Sequence, residues 1–249
     1  MRSSTARLNM ARRTGQVGMS LGILLALSHL ALSDPIHKAV EKGQDAKVVA
    51  MLKADPGLVS SRDKMGNTPL HVAALHNQLD IAALLLANGA NVNAENYQKV
   101  ELRDHKWRRW GETPLSLALW AYNNKDMVTL LLTHGADPNV VLSGGVTPIY
   151  RAVQRNLPED VALLLANNAN PNVDYSNSTP LIQAVLQDER PIVQILLAGG
   201  ADPNMVDIAG HTPLFYAETP PNTDPKYVAR MYVSDPGMIA MLRAHGAHR

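Results

Sequence analysis

The chain of 249 residues contains no cysteine, and this absence removes several kinds of chemistry at once. Disulfides, thiolate metal sites, cysteine nucleophiles and a lipid anchor attached through cysteine are all excluded. Aromatic residues are also scarce, at 4 % with a single phenylalanine, whereas 46 % of the residues are apolar. The core must therefore be built from small and aliphatic side chains, which favours thin, closely packed helices.

The chain also lacks an excess of either charge. Four of the 23 basic residues and none of the 22 acidic residues lie in the first 33 positions, so the remainder holds 19 basic and 22 acidic residues, a formal charge of −3. A slightly acidic body gives no electrostatic reason to expect nucleic acid or an anionic membrane as the main partner.

Motifs that carry catalysis or hold metal are missing as well. There is no Gly-x-Ser-x-Gly elbow, no Walker loop and no dinucleotide fingerprint. Nine histidines are present, but none forms a His-Glu-x-x-His motif, and the one compact pair, His245 with His248, lies at the C-terminus. We therefore expect no enzymatic activity, no cofactor and no metal.

Residues 1–33 have the layout of a signal peptide. Arginines precede an apolar stretch from Val17 to Leu32, and the small residues Ala31 and Ser33 suit the peptidase. These sixteen residues are short of the roughly 20 that a bilayer span needs. We expect cleavage after Ser33 and a periplasmic or secreted product. An uncleaved signal anchor, which would add contact with the membrane, and a helix that caps the fold are the alternatives.

The rest of the chain is repetitive. Thr-Pro followed by Leu or Ile occurs five times, at spacings of 45, 34, 32 and 33 residues, beginning at Thr68, Thr113, Thr147, Thr179 and Thr212. About 21 residues after the first four of these threonines, Gly-Ala or Asn-Ala is followed by Asn or Asp, as in Asn88-Gly89-Ala90-Asn91. Leucine clusters such as Leu84-Leu85-Leu86 lie between the two signals.

Each unit can be interpreted physically as two helices. Threonine can cap a helix N-terminus, and proline suits the first helical position because no amide hydrogen is needed there. The leucine cluster predicts the buried face of a second helix, and the glycine predicts the left-handed residue that ends it. One unit has Asn168 at the glycine position, and asparagine is the next most tolerant residue for positive φ.

The segments DKMGNTPLHVAA (63–74) and NGANVNA (88–94) closely resemble the ankyrin repeat. The resemblance covers residues 34–249 and implies an all-α solenoid of about six helix-turn-helix repeats joined by short hairpin fingers. It also implies a monomer. The first repeat is divergent, with Ile36-His37-Lys38-Ala39 in place of the Leu-His element, and the last is degenerate, as terminal repeats usually are.

Two insertions depart from this pattern. The 45-residue step holds 12 residues more than the usual repeat of about 33, which predicts an enlarged finger at 98–110. The last repeat holds 13 extra residues and several prolines, which predicts an insertion at about 219–235. Its first helix should stop near Glu218, and its last should begin at Asp235-Pro236.

The resemblance implies a concave binding side formed by the fingers and the first helices. Its recognition positions include Asn67 and Glu112, each of which directly precedes a Thr-Pro. Tryptophan, tyrosine and arginine dominate interface hot spots, and our candidate partner-binding residues are Met65, His76, Trp107, Arg109, Trp110, Trp120, Arg155 and Tyr175. In the alternative interpretation, Trp120 packs into the helix stack, and Trp107 or Trp110 folds the insertion onto its neighbours.

The finger run Lys106-Trp107-Arg108-Arg109-Trp110 mixes basic and aromatic residues, a combination that nucleic acid and an anionic lipid surface can also bind. The acids Glu101, Asp104 and Glu112 flank the run, and an acidic patch on a protein partner fits it better.

These observations favour an exported protein-interaction module that acts as a scaffold or protective partner of an exported enzyme. The alternative is an immunity-type inhibitor of a toxic hydrolase in the periplasm, with the finger entering a cleft. A third class, an enzyme, would need a catalytic site formed between the two insertions.

Overall fold

The computed structural model describes residues 35–96, 98–101, 107–121, 124–142, 145–175, 178–218 and 235–248, with the backbone alone for 98–101 and 107–110. The expected signal peptide at 1–33 lies outside the described residues.

The described chain consists of paired helices and one hairpin. The first helices of the pairs are α1 (35–41), α3 (Pro69–Leu75), α5 (Pro114–Ala118), α7 (Pro148–Gln154), α9 (Pro180–Leu186) and α11 (Pro213–Glu218). The second helices are α2 (Asp45–Ala54), α4 (Leu79–Ala87), α6 (Lys125–Thr133), α8 (Pro158–Ala166), α10 (Arg190–Ala198) and α12 (Pro236–Ala244). A 3₁₀ turn at Pro56–Ser60 follows α2, and strands β1 (Gln98–Glu101) and β2 (Trp107–Trp110) lie between α4 and α5.

The first helices begin where the Thr-Pro motif predicts. Proline occupies the first helical position of α3, α5, α7, α9 and α11. The hydroxyls of Thr113 and Thr179 accept hydrogen bonds from the backbone N–H groups of Ser116 and Ile182, at 3.3 and 3.2 Å. These bonds satisfy donors that a helix N-terminus otherwise leaves unpaired.

Left-handed residues end the second helices, as the repeat signature predicts. Gly89 has φ 83°, and Asn168, which replaces glycine in its repeat, has φ 65°. A second set of left-handed residues, between the two helices of a pair, was not predicted; Asn77, Asn156 and Asp188 have φ 52°, 53° and 58°. Short polar side chains tolerate this conformation better than branched ones do.

The helices stack in two rows, one of first helices and one of second helices, since α3, α5, α7, α9 and α11 contact in sequence and so do α2, α4, α6, α8, α10 and α12. Buried alanines such as Ala73, Ala118 and Ala152 lie in the first row, and larger residues such as Leu85, Leu131 and Leu164, all fully buried, lie in the second. The ankyrin-repeat resemblance implies that such a stack curves toward its first helices. We call the surface of the first helices and fingers the concave face.

The predicted all-α solenoid of six helix pairs is confirmed for the described residues. The enlarged finger contains an antiparallel hairpin in which Gln98 pairs with Trp110 and Glu101 with Trp107. In the last repeat, α12 begins at Pro236, as expected, and the described part of α11 reaches Glu218. Most of the insertion between them, 219–234, lies outside the described residues. No helix among the described residues combines the length and hydrophobicity needed to cross a bilayer.

Asparagine side chains link successive repeats along one edge of the stack. Asn139 donates from Nδ2 to the carbonyl oxygen of Asn168 at 2.9 Å, and its Oδ1 accepts from the backbone N–H of Asn170 at 2.7 Å. Asn93, Asn172 and Asn204 make the same pair of bonds to the repeat that follows each of them. We call these four residues the asparagine ladder.

Candidate functional site

An exposed tryptophan supported by two arginines lies at the middle of the concave face. Trp120 follows α5 and is 47 % exposed. The guanidinium carbons of Arg151 and Arg155, both from the next repeat, lie 4.9 and 5.3 Å from the centroid of its ring. Arg155 also donates from Nη2 to the carbonyl oxygen of Trp120 at 2.9 Å. Cation–π contacts and this hydrogen bond hold the indole in one place while leaving half of it accessible.

A buried ion pair fixes Arg151 beneath the indole. Arg151 is 5 % exposed and donates to Glu112 from both terminal guanidinium nitrogens, Nη1 and Nη2, with 3.0 Å between Nη2 and Oε1. Ser116 donates from Oγ to Glu112 Oε2 at 2.5 Å, and its Oγ accepts from the backbone N–H of Thr113 at 2.9 Å. The guanidinium under the ring is therefore neutralised and oriented by the preceding repeat.

The resemblance assigns Glu112 and Asn67 to recognition positions, but both side chains make internal bonds. Glu112 is committed to Arg151 and Ser116. The Asn67 Oδ1 accepts from Asn96 Nδ2 at 2.7 Å. Residues directly before the Thr-Pro motif support the fingers in these repeats, because their side chains point back into the interface between neighbours.

The other candidate residues are distributed along the same face. Met65 is 45 % exposed on the finger before α3, and His76 is exposed at the end of that helix. Tyr175 is half-buried, with its ring edge-on to that of Tyr150 at 4.7 Å. Trp107, Arg109 and Trp110 lie on β2, where the structure describes the backbone. Of the eight predicted residues, the structure shows direct contact between Trp120 and Arg155.

The histidine of the Thr-Pro-Leu-His motif serves the fold. His71 is fully buried; its Nδ1 accepts from the backbone N–H of Thr68 at 3.1 Å, so Nε2 carries the hydrogen and donates to the Glu112 carbonyl at 3.0 Å. Burial lowers the pKa of His71 to about 4, despite its bond to the Glu112 carbonyl. His37 makes the equivalent bond to the Asn67 carbonyl at 2.8 Å, which places the divergent first repeat in register.

Sequence reasoning missed an aromatic cluster in the last repeat. His211 stacks on Phe215 with 3.8 Å between ring centroids, and the Tyr216 hydroxyl bonds the Asp207 carboxylate. The hydrogen bond to Asp207 raises the pKa of Tyr216 to about 12. Phe215 was the sequence signal for this cluster, because it lies three residues after Thr212, at the position that His71 occupies after Thr68.

Comparison with known proteins identifies the repeat. The family model of ankyrin repeats, which describes three copies of the repeat, matches residues 21–96, 98–175 and 149–219. The chain belongs to the ankyrin-repeat family. Within the described residues, this ankyrin-repeat chain holds no group of three or more histidine or carboxylate side chains that could bind a metal ion.

The similar proteins share a stretch of ankyrin repeats with this chain. The serine/threonine-protein kinase VIK of Arabidopsis thaliana is 42 % identical over 36 % of this chain and 18 % of its own length. The ankyrin repeat domain-containing protein 13C-B of Xenopus laevis is 33 % identical over 39 % and 16 %. The transient receptor potential cation channel subfamily A member 1 of Homo sapiens is 30 % identical over 49 % and 10 %. The matched stretch thus spans less than a fifth of each relative. Ankyrin repeats mark this chain as a protein-interaction module.

Proposed function

We propose that this ankyrin-repeat chain is an exported module that binds a partner protein through its concave face, with Trp120 at the centre of the contact. The supporting observation is the indole itself, half exposed yet held by Arg151 and Arg155. A large side chain that is already immobilised loses little entropy on binding, and tryptophan and arginine are the residues most enriched at interface hot spots.

The chemistry of the face defines the partner's surface. Exposed apolar side chains accompany Trp120, among them Met65 and Leu75 at 45 % and 43 % exposure. Strand β2 of the finger contains two basic residues, Arg108 and Arg109. A partner that presents an apolar protrusion bordered by carboxylates would complement such a face.

Export rests on the signal-peptide layout of residues 1–33 and is a separate element of the proposal. It is tested by joining residues 1–33 to a reporter enzyme that is active only outside the cytoplasm. Reporter activity, with removal of the segment seen by mass spectrometry, would support export to the periplasm or medium. An active reporter that retains the segment would indicate a membrane anchor, and an inactive one would contradict export.

Within this role, the chain is a scaffold or protective partner of an exported enzyme. A second role, immunity-type inhibition of a toxic hydrolase, is favoured by the hairpin of β1 and β2, because a projecting finger can enter a substrate cleft. The two roles differ in what binding does to the partner. An inhibitor abolishes the partner's hydrolytic activity, whereas a scaffold or protective partner leaves that activity intact or prolongs it.

The binding face can be tested by photo-crosslinking in the organism that makes the protein. A benzophenone amino acid is placed at position 75 or 120 on the concave face, and at position 79 as the matched control. Leu79 is also exposed, at 37 %, but it begins the second helix α4. We expect a discrete crosslinked product from 75 and 120 that is absent from 79.

Purified partner and full-length chain then give the affinity. Trp120→Ala should weaken binding by about 30-fold or more, which is the range of a hot-spot truncation of 2 kcal/mol or above. Leu79→Ala should leave it unchanged. Crosslinking from position 79 alone, or equal affinity of the wild type and a folded Trp120→Ala variant, would show that the concave face is not the binding surface.

A further inference from the structure

One second helix carries a carboxylate at a position that belongs to the core in four of the other five; the exception is the terminal helix α2, which has the exposed Lys47 there. The third residues of α4, α6, α10 and α12 are Ile81, Met127, Ile192 and Met238, each at most 1 % exposed. The third residue of α8 is Asp160, which is 6 % exposed. Burial of this carboxylate raises its pKa, because desolvation disfavours the charged form. The core position in α8 is thus occupied by a carboxyl group whose burial lowers the stability of the fold.

Two residues that line one cavity each carry an acceptor oxygen without a partner in the described part of the chain. Asp160 and Asn124 line one cavity of about 270 Å³ at the turns that follow α5 and α7. The Oδ1 atoms of both residues are buried and have no hydrogen-bond partner among the described residues. Asn124 is itself 3 % exposed and is fixed by bonds from Nδ2 to the carbonyl oxygens of Ala74 and Ala118 at 3.3 and 3.1 Å. An amide oxygen in a fixed position and a carboxylate oxygen are therefore both without a hydrogen-bond donor in the described structure, although buried acceptors normally have one.

The walls of the cavity define the rest of the ligand. Leu157 and Pro158 supply an apolar side, and Glu159 lies at the same opening. The ammonium group of Lys125, which also lines the cavity, is bound to Glu159 at 3.0 Å, and both side chains are more than half exposed. The residues around the cavity thus supply two buried acceptor oxygens and an apolar side.

We propose that this cavity binds a primary alkylammonium group, with its nitrogen at Asp160 and Asn124 and its methylene stem along Leu157 and Pro158. An ammonium group offers three hydrogen-bond donors and a positive charge, which match the two acceptors and the carboxylate. A bare divalent cation would use neither the apolar wall nor the remaining volume, and calcium needs six to eight oxygen ligands. The ammonium can belong to a lysine of a partner protein or to a free amine.

This site shares no residue with the candidate partner-binding set, although it lies next to that set in the chain. Asn156 directly follows Arg155, and Asn124 lies four residues after Trp120. A carboxylate in the first turn of a helix also interacts favourably with the helix dipole. That interaction is available at the exposed Glu159, however, so it does not account for an acid at the buried position.

The test is a titration of the full ¹⁵N-labelled chain followed by amide chemical shifts. The probes are N-acetyl-lysine methylamide, which mimics a partner's lysine, and n-butylamine, which represents a free amine. N-acetyl-norleucine methylamide has the same stem without the charge and is the control ligand. We expect saturable shifts at the amides of Lys125, Leu157, Glu159 and Asp160 with an ammonium probe, at a Kd of order 1 mM, and none with the norleucine compound.

The two ammonium probes identify the source. Comparable binding of the lysine mimic indicates that a partner's side chain fits, and binding of butylamine alone indicates a free amine. No saturable shift with either probe at 50 mM, or shifts with calcium chloride alone, would overturn the proposal.

Variants separate the ligand site from a structural role. Asp160→Asn keeps the shape and should weaken binding of the ammonium probe at least tenfold, because a charge-assisted bond is lost. Asp126→Asn removes an exposed acid in α6 and should leave binding within twofold of wild type. Equal affinities for Asp160→Asn and wild type would contradict the assignment.

Asp160→Ile introduces the residue that α4 and α10 have at this position. It should abolish binding and raise the Tm by about 3 °C, as expected when a group retained for function is replaced by a core residue. A lower Tm for this variant would instead show that Asp160 holds the fold together.

Discussion

Arg151 lies beneath the indole of Trp120, with 4.9 Å between its guanidinium carbon and the ring centroid. The same guanidinium is bonded by Glu112, which comes from the repeat that carries Trp120. One arginine therefore connects the interface between two repeats to the exposed ring on the concave face. Changes at Arg151 should affect both the stability of the stack and the placement of the indole.

Replacing Arg151 should destabilise the protein strongly. In Arg151→Gln, Glu112 keeps its charge but loses its bidentate partner, and the side chains of the pair are only 6 % and 24 % exposed. We expect the free energy of unfolding to fall by about 2–3 kcal/mol, measured by urea denaturation. Lys125→Gln is the control, because its pair with Glu159 is 56 % and 68 % exposed, so solvent screens the attraction and the loss of stability should be small. Equal losses in the two variants would contradict this account of Arg151.

His71 should make stability depend on pH. Its pKa is about 4 in the folded protein and 6.5 when exposed, so the unfolded chain binds more protons between these values. The contribution is complete above pH 6.5 and is lost as the pH falls toward 4. At about 1.4 kcal/mol per pH unit, the stability advantage of wild type over His71→Gln should shrink by about 3 kcal/mol from pH 7 to pH 4. The carboxylates titrate in both proteins, so the difference isolates His71; a constant difference would contradict its low pKa.

Asn168 tests the backbone explanation of the helix ends. With φ at 65°, Asn168→Ala should cost about 1 kcal/mol, because a Cβ without a compensating polar group is strained in the left-handed region. Asn168→Gly should be neutral or slightly stabilising. Thermal unfolding of both variants measures the order. Asn167→Ala is a control for the neighbouring side-chain bond to Leu163, which Asn168 does not make.

Loss of an asparagine-ladder residue should loosen one junction of the stack. Asn204→Ala removes the bonds to Gly246 and His248 that attach the last repeat, at 3.1 and 2.9 Å. We expect faster hydrogen exchange in α12 and a global loss of about 1 kcal/mol. Asn93→Ala breaks the equivalent bonds near the other end and should leave exchange in α12 unchanged. Faster exchange throughout the chain in Asn204→Ala would show that its effect is not local.

The repeat architecture could be predicted from the sequence because its signals are local. Proline after threonine starts a helix, and glycine or asparagine with positive φ ends one, whatever lies far away in the chain. The left-handed residues between paired helices, such as Asn77, were missed, although Asn156 and Asp188 occur at the same distance from their Thr-Pro motifs. Comparison of repeats at single positions would have revealed them.

The candidate site was less predictable, because it depends on side chains from different repeats. Trp120 and Arg155 were identified as residue types that suit an interface, but their mutual contact was not. The role of Glu112 depends on Arg151, 39 residues later, and no local pattern connects the two. Asp160 was visible in the sequence as the one acid at its repeat position, but its significance required knowledge of which positions are buried.

The asparagine ladder contacts only backbone atoms of the following repeat, a carbonyl oxygen and an N–H group in every case. These hydrogen bonds therefore do not depend on which side chains the following repeat carries at the contact. Gene duplication could therefore lengthen such an array, or recombination shuffle its units, without new complementary mutations at this edge. The insertions at the finger and in the last repeat show the same freedom, since the chain diverges there while the ladder continues from Asn93 to Asn204.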